Sequence, residues 1–204
     1  MAVEFVDYRE LFTKSLLGGW VFGDLPDGAL SALLSIIKQT QAENIFEFGT
    51  FRGRTTLNIA VNLPDDAKIY TLDLPSDAVG SHSEFEDLYM SDELRRELLV
   101  GIPKRTLNKI EIIQDNSMCL NFERFYNKMD IVFVDGGHTL DVIQSDSMNA
   151  IKMVRVGGYV IWDDYANSYC PDVNTFINSF AENNTVYFDT EINLVIYKHE
   201  ETGA

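Results

Sequence analysis

The sequence predicts an α/β fold with a mostly parallel sheet covered on both faces. Two observations predict it. From Asn44 onward, short apolar runs alternate with stretches of helical periodicity, the pattern of strand–helix crossovers. Near the end, residues 185–188 and 192–198 form two short apolar runs split by Asp189-Thr190-Glu191, which reads as a terminal hairpin. A chain of 204 residues with 46% hydrophobic and 24% charged residues fits one ordinary globular domain, or a domain with a small cap.

The elements follow in order. Phe5, Tyr8, Leu11, Phe12 and Leu16 recur at helical spacing, as do Leu30, Leu33, Leu34 and Ile37. Between these helices lies the loop Gly18-Gly19-Trp20-Val21-Phe22-Gly23. Strands are expected at 44–48, 68–72, 109–113, 130–134 and 157–162, and helices at 54–62, 117–126, 139–154 and 172–182. In 139–154 the buried stripe is Leu140, Ile143, Ala150, Ile151 and Val154. Residues 74–108 are long for a connection. There Ser83-Glu84-Phe85-Glu86 matches a capping box, and Leu94, Leu98 and Leu99 suggest a second helical stretch. This segment, Met90 included, is either a cover for the site or an ordinary crossover.

Sixteen Lys and Arg oppose 32 Asp and Glu, a formal net charge of −16. Such a surface repels phosphate backbones, which argues against nucleic acid as a partner. No apolar run approaches the ~20 residues that span a bilayer, so no membrane role is expected. Cys119 and Cys170 make no disulfide framework, and the first residues lack a signal-peptide pattern. The cytoplasm is the expected compartment.

Ligands of parallel α/β sheets bind beyond the carboxyl ends of the strands, so chemistry is sought there. After the first strand comes Glu47-Phe48-Gly49-Thr50-Phe51-Arg52-Gly53-Arg54-Thr55-Thr56. Its glycines allow a tight turn, and Thr55 and Thr56 open a helix whose free N–H groups suit a carboxylate. The spacing is neither a dinucleotide fingerprint nor a P-loop. Asp73 follows the second strand, where an acid either binds a ribose diol or caps a turn. Asp115-Asn116-Ser117 follow the third, suited to an adenine edge or to a helix cap. Asp135-Gly136-Gly137-His138 follow the fourth and Asp163-Asp164 the fifth. Three such carboxylates repel one another, so either one is protonated or a cation sits between them. Oxygen ligands suit Mg²⁺, Mn²⁺ or Ca²⁺.

This ordered set resembles the class I S-adenosylmethionine-dependent methyltransferases. The resemblance rests on Glu47-x-Gly49-x-x-x-Gly53, Asp73, Asn116-Ser117, Phe133-Val134-Asp135 and Gly157-Gly158. It is similar in particular to the metal-dependent O-methyltransferases of the catechol and caffeoyl-coenzyme A type, and to macrocin-type sugar O-methyltransferases. The resemblance implies a three-layer Rossmann-like sandwich with a seven-stranded, mostly parallel sheet and an antiparallel last strand. Residues 1–43 would be an N-terminal helical cap and 44–204 the cofactor-binding domain. Gly49 and Gly53 would shape the loop under the methionine, Glu47 would hold its amino group and Thr55 would meet its carboxylate. Asp73 would bind ribose, and Asn116 and Ser117 would lie in the adenine-binding stretch. Asp135, Asp163 and Asp164 would be the metal ligands; the 28-residue step from Asp135 to Asp163 matches the catechol-type spacing. Three positions depart from the family pattern: Asp164 replaces Asn, His138 stands where a lysine base is usual, and Val156 stands where a proline usually precedes Gly-Gly. An imidazole titrating near neutrality can serve as that base, or can simply order the turn.

The implied reaction is methyl transfer to a hydroxyl of a small molecule, whose pocket Trp20, Phe22, Tyr165 and Tyr169 would line. A homodimer through the N-terminal helices is a family-level expectation. Competing readings are a nucleotide-dependent oxidoreductase, a non-catalytic cofactor-binding protein, and a metal-independent methyltransferase acting on nitrogen or carbon.

Overall fold

Five apolar runs pair as a parallel sheet. β1 (Asn44–Phe48) lies between β2 (Lys68–Asp73) and β4 (Met129–Val134); β3 (Ile110–Gln114) flanks β2, and β5 (Val154–Trp162) flanks β4. β7 (Leu194–Lys198) runs antiparallel to β5, and β6 (Val186–Asp189) runs antiparallel to β7 at the edge. The strand order is β3-β2-β1-β4-β5-β7-β6. The computed structural model describes residues 16–75, 99–189 and 191–201. The expected helix of Phe5 to Leu16, the capping box, Met90, and Leu94 and Leu98 lie outside or at the margin of these residues.

Side chains of β1 and β4 alternate between two cores, as the strand period of two requires. Ile45, Ile131 and Phe133 face one layer, with α1 (Asp27–Thr40) and α2 (Arg54–Asn62) packed on them. Phe46, Phe48, Val132 and Val134 face the other, under α4 (Leu140–Met153) and α5 (Pro171–Ala181). A short α3 (Lys104–Leu107), not expected from the sequence, precedes β3. On α1, Leu30, Leu33, Leu34 and Ile37 are buried, as their spacing predicts. Each such side chain contributes about 1.5–3 kcal/mol by leaving water. Among the described residues no helix is long and apolar enough to cross a membrane.

Three local expectations fail. Residues 117–126 are not a helix: turns lead to a single 3-10 turn at Glu123–Phe125. The Asn116 side chain accepts the Met118 amide at 2.9 Å, and Asn121 accepts that of Glu123 at 2.8 Å. These local bonds replace the helical ladder, a common effect of Asn. The apolar residues that suggested a helix, Phe122 and Phe125, are buried against Phe46. On α4, Leu140 is 38% exposed and lies outside the buried stripe. β5 also begins three residues early, at Val154, which pairs with Met129.

The base of the sheet is tied by Asp130. One carboxylate oxygen accepts the Glu43 and Asn44 amides at 2.8 Å each, and the other accepts Arg155 Nε at 2.5 Å. Burial alone would raise its pKa, but these donors outweigh burial and hold it below the ordinary 3.8. The stabilisation is therefore present above that value and lost as pH falls through the lowered one. Asp130→Asn is expected to cost about 1–3 kcal/mol near neutrality. Urea unfolding at about pH 7 and about pH 3 checks this: the deficit should shrink in acid, and an equal deficit at both would reject the charge-based account.

Candidate functional site

β1 continues to β2 on one side of the sheet, and the chain returns to β4 on the other, so the strand order reverses between β1 and β4. That places the segments after β1 and β4 side by side, where crevices form. Gly49 has φ 90°, and a Cβ there would stand 1.9 Å from the Asp135 carbonyl oxygen, so the two segments touch through backbone. Gly53, with φ 87°, caps α2 without a side-chain hydrogen bond, and a Cβ added there would meet nothing within 4 Å. Open space thus lies beside Gly53 at the start of α2, with Thr55 buried in the first turn.

Asp73 holds this loop. Its Oδ2 accepts the amides of Thr50 at 3.0 Å and Phe51 at 2.6 Å, and its Oδ1 accepts that of Leu74 at 2.8 Å. Two arginines that the sequence reading passed over strap a second loop to it. Arg52 donates to both carboxylate oxygens of Asp24 at 2.8 and 2.5 Å and to the Gly19 carbonyl. Arg54 donates to the carbonyls of Gly18 and Leu25 at 3.1 and 3.0 Å and to Asp27 at 2.5 Å. Both guanidiniums are buried, so losing their partners would leave uncompensated charge.

Glu47 is wholly buried beneath the loop. Its Oε2 accepts the hydroxyls of Thr56 and, at 2.6 Å, Thr71, while Oε1 has no partner among the described residues. Burial raises its pKa, the two hydroxyls counter this in part, and Asp73 adds to the rise, from 4.5 to about 7. Stability linked to it is full below the unfolded value and is lost as pH rises through the folded one. Glu47→Gln cannot ionise. Relative to wild type it is expected to gain about 2–3 kcal/mol between about pH 4 and about pH 8. Chemical denaturation at both pH values measures the gap; parallel pH profiles would contradict it.

Asp135, Asp163 and Asp164 converge, with one oxygen of each within 4.8 Å of the others. Burial, then the charges of Asp163 and Asp164, push Asp135 well above 3.8. Burial and Asp164 push Asp163 up to about 7. At Asp164 burial also acts upward, but His138, Asn167 and Cys170 outweigh it and hold its pKa below the ordinary value. His138 Nε2 lies 2.7 Å from Asp164 Oδ2, and Asn167 Nδ2 donates to Asp164 Oδ1 at 2.6 Å. Asp164 adopts the left-handed φ of 61°. His138, Asp164 and Cys170 form a second convergent group that shares Asp164. Burial and the neighbouring carboxylates push the Cys170 thiol up to about 12. Two carboxylates held protonation-prone beside a third make an oxygen-donor set that a hard divalent cation fits, because its charge would remove the repulsion.

The remaining expected residues are more scattered. Asn116 is exposed, and its carbonyl serves the Asn116–Met118 turn. Ser117 sits beside Asp146 of α4, a buried acid that the sequence reading missed. Trp20, Phe22 and Tyr169 are 51%, 60% and 90% exposed. Tyr165 packs edge-on against Phe188 at 4.7 Å and donates to Asn178 at 2.9 Å.

A family model described as a methyltransferase domain matches residues 46–165, from β1 to just past the acidic trio. The chain belongs to that methyltransferase family. Tapetum-specific methyltransferase 1 of Arabidopsis thaliana is 27% identical over 137 residues, which is 65% of this chain and 51% of that protein. The chain thus spans about half the length of that curated relative. Among solved structures, the O-methyltransferase TomG from Streptomyces achromogenes, in complex with SAM and involved in tomaymycin synthesis, is 19% identical with a TM-score of 0.58. The match covers 86% of this chain and 81% of that one. An O-methyltransferase from Bacillus cereus in complex with SAH gives 16% and 0.60, over 87% and 84% of the two chains. The SAH-bound methyltransferase PaMTH1 of Podospora anserina gives 14% and 0.62, over 88% and 81%. These likenesses establish the seven-stranded, Rossmann-like methyltransferase fold with its antiparallel penultimate edge.

Proposed function

We propose that this methyltransferase transfers the methyl group of S-adenosylmethionine to a hydroxyl of a small molecule, with a divalent cation held by Asp135, Asp163 and Asp164. The observation that carries the proposal is the juxtaposition of the glycine loop and the acidic trio. Gly49 touches the backbone of Asp135 itself, so a ligand cradled by one lies next to the other.

Glu47 Oε1, buried and unpartnered among the described residues, accepts the methionine amino group. Gly49 and Gly53 bring backbone close to the methionine, and Thr55 with the uncapped amides of α2 receives its carboxylate. Asp73 keeps lone pairs for the ribose diol while it holds the loop. Asn116 and Ser117 border the adenine. The sulfonium of S-adenosylmethionine supplies an activated methyl group, and Mg²⁺, or Mn²⁺ or Ca²⁺, would supply Lewis acidity to the acceptor oxygen. His138 removes the acceptor proton, and Asp164 orients its ring through the Nε2 contact. The straps through Arg52 and Arg54 hold the loop rigid, so that positioning supplies much of the rate. The charge of −16 favours a small acceptor over nucleic acid, and a cytoplasmic homodimer remains part of this reading.

One observation favours a second reading, metal-independent transfer: both Asp164 oxygens already have partners, in His138 and Asn167. Titration calorimetry with S-adenosylhomocysteine, with and without Mg²⁺ and with NADH as control, separates the possibilities. Binding of the homocysteine product plus a separate Mg²⁺ signal supports the proposal. Product binding without a Mg²⁺ signal selects the second reading, and no product binding overturns both.

A further inference from the structure

We infer that His138, Asp164 and Cys170 form a second metal site, distinct in its donors from the oxygen trio, that takes a transition-metal ion of the Zn²⁺ class through a cysteine thiolate.

The three residues come from two segments. His138 follows β4 in the turn that leads to α4, and Asp164 and Cys170 bracket the loop between β5 and α5. That loop folds back on itself. The Asn167 amide donates to the Asp164 carbonyl at 3.3 Å, and the Cys170 amide to the Asn167 carbonyl at 3.1 Å. Asn174 of α5 fixes it: Oδ1 accepts the Ala166 amide at 2.7 Å, and Nδ2 donates to the Asn167 carbonyl at 3.3 Å. Cys170 caps α5, yet its thiol makes no cap hydrogen bond. The thiol instead donates to the Asp164 carboxylate. His138 Nε2 reaches the same carboxylate, 2.7 Å from Oδ2.

Distances decide whether an ion fits. One donor atom of each residue lies within 4.8 Å of the other two. In a tetrahedral site with bonds of about 2.0–2.3 Å, donors stand roughly 3.3–3.6 Å apart. Small side-chain rotations therefore close the set around a cation. The group opens to solvent on the imidazole side: the His138 and Asp164 side chains are 47% and 21% exposed, whereas Cys170 is buried. With three protein donors, the ion keeps a fourth position for water.

Donor chemistry separates this group from its neighbour. Asp135, Asp163 and Asp164 offer oxygen only, which suits Mg²⁺ or Ca²⁺. Nitrogen and sulfur beside one carboxylate suit Zn²⁺ or Co²⁺ and serve Mg²⁺ poorly. On binding, the Cys170 S–H bond breaks, its proton passes to water, and the sulfur electron pair forms the bond to the metal. Nothing is oxidised or reduced. Asp164 belongs to both groups, so a Zn²⁺ ion here withdraws a ligand from the oxygen trio and occupies the His138 ring. Under the metal-dependent reading above, that ion is an inhibitor; the site itself stands without that reading.

Co²⁺ is the probe, because a thiolate ligand gives it an intense charge-transfer absorption in the near ultraviolet that nitrogen and oxygen ligands do not. The full chain, freed of metal by a chelator and then titrated with Co²⁺, should develop this band, and Zn²⁺ should abolish it by displacement. Cys119→Ser, which removes the exposed thiol, should keep the band. Cys170→Ser should lose it and bind Zn²⁺ about 100-fold or more weakly. Should Cys170→Ser not fold, His138→Ala, at a half-exposed position, should weaken Co²⁺ binding about tenfold or more as read by the same band. A wild type without the band, a band that survives Cys170→Ser, or a His138→Ala variant of unchanged affinity would overturn the site. A Cys170-dependent band in a chain that binds no S-adenosylhomocysteine would uphold the site while removing the function proposed above.

Discussion

Asp163→Asn is expected to weaken Mg²⁺ binding by about 100-fold or more and, at the same time, to stabilise the metal-free protein. The loss follows from removing one anionic donor of three, where even a supporting contact to a ligand is worth about 10- to 100-fold. The gain follows from the cost of crowding. Burial and Asp164 raise the Asp163 pKa from 3.8 to about 7, so stability is full below the lower value and declines as pH rises toward the higher one. Asparagine cannot ionise and escapes that decline. At about pH 8 the variant should be more stable by about 2–4 kcal/mol, with the difference vanishing near about pH 4. Calorimetric Mg²⁺ titration and urea unfolding in the presence of a chelator give the two halves. A variant that binds Mg²⁺ like wild type would remove Asp163 from the ligand set. A variant no more stable at high pH would show that the trio is not repulsive when empty.

The second large effect is a contrast between two glycines of one loop. Gly49→Ala drives a methyl carbon to 1.9 Å from the Asp135 carbonyl oxygen at a φ of 90°. Neither backbone can yield without disturbing β1 or β4, so the expected cost is about 4 kcal/mol or more. Gly53 has nearly the same φ, 87°, but open space around it. Gly53→Ala should cost only the left-handed penalty of about 1–2 kcal/mol. Yet its methyl would stand where the methionine end is expected, so binding of S-adenosylhomocysteine should fall by about tenfold or more while the protein stays folded. Thermal unfolding and calorimetry on both variants check the pair. Equal losses of stability would contradict the packing difference, and a Gly53→Ala variant with wild-type affinity would show that its space is not ligand space.

The sheet was legible because its residues obey one rule at a time. In β1, Ile45 and Phe46 point to opposite cores and both are apolar, so the run shows in the sequence, and its limits at Asn44 and Phe48 agree with the structure. The helix at 54–62 likewise agrees. Residues 117–126 misled because burial of Phe122 and Phe125 imitates helical spacing while Asn116 and Asn121 divert the backbone amides into local turns. Of the site, the acids at the strand ends were legible from position alone. Asp146 was not, although a signal existed: an acid three residues after Ile143 and four before Ala150 sits inside a buried stripe. Arg52 and Arg54 were hidden for a different reason. Their partners Gly19, Asp24 and Leu25 lie in an irregular loop, and no periodicity announces such a contact.

The left-handed backbone at Asp164 limits what that position can become. At a φ of 61°, asparagine and aspartate are the side-chain-bearing residues best tolerated, with glycine the unstrained alternative. Most other replacements would carry a left-handed penalty of about 1–2 kcal/mol. An exchange between Asp and Asn alters the formal charge of the pocket by one while leaving the chain path in place. The turn therefore favours one exchange over others: a single-base codon change between Asp and Asn retunes the pocket's charge while the chain path stays as it is.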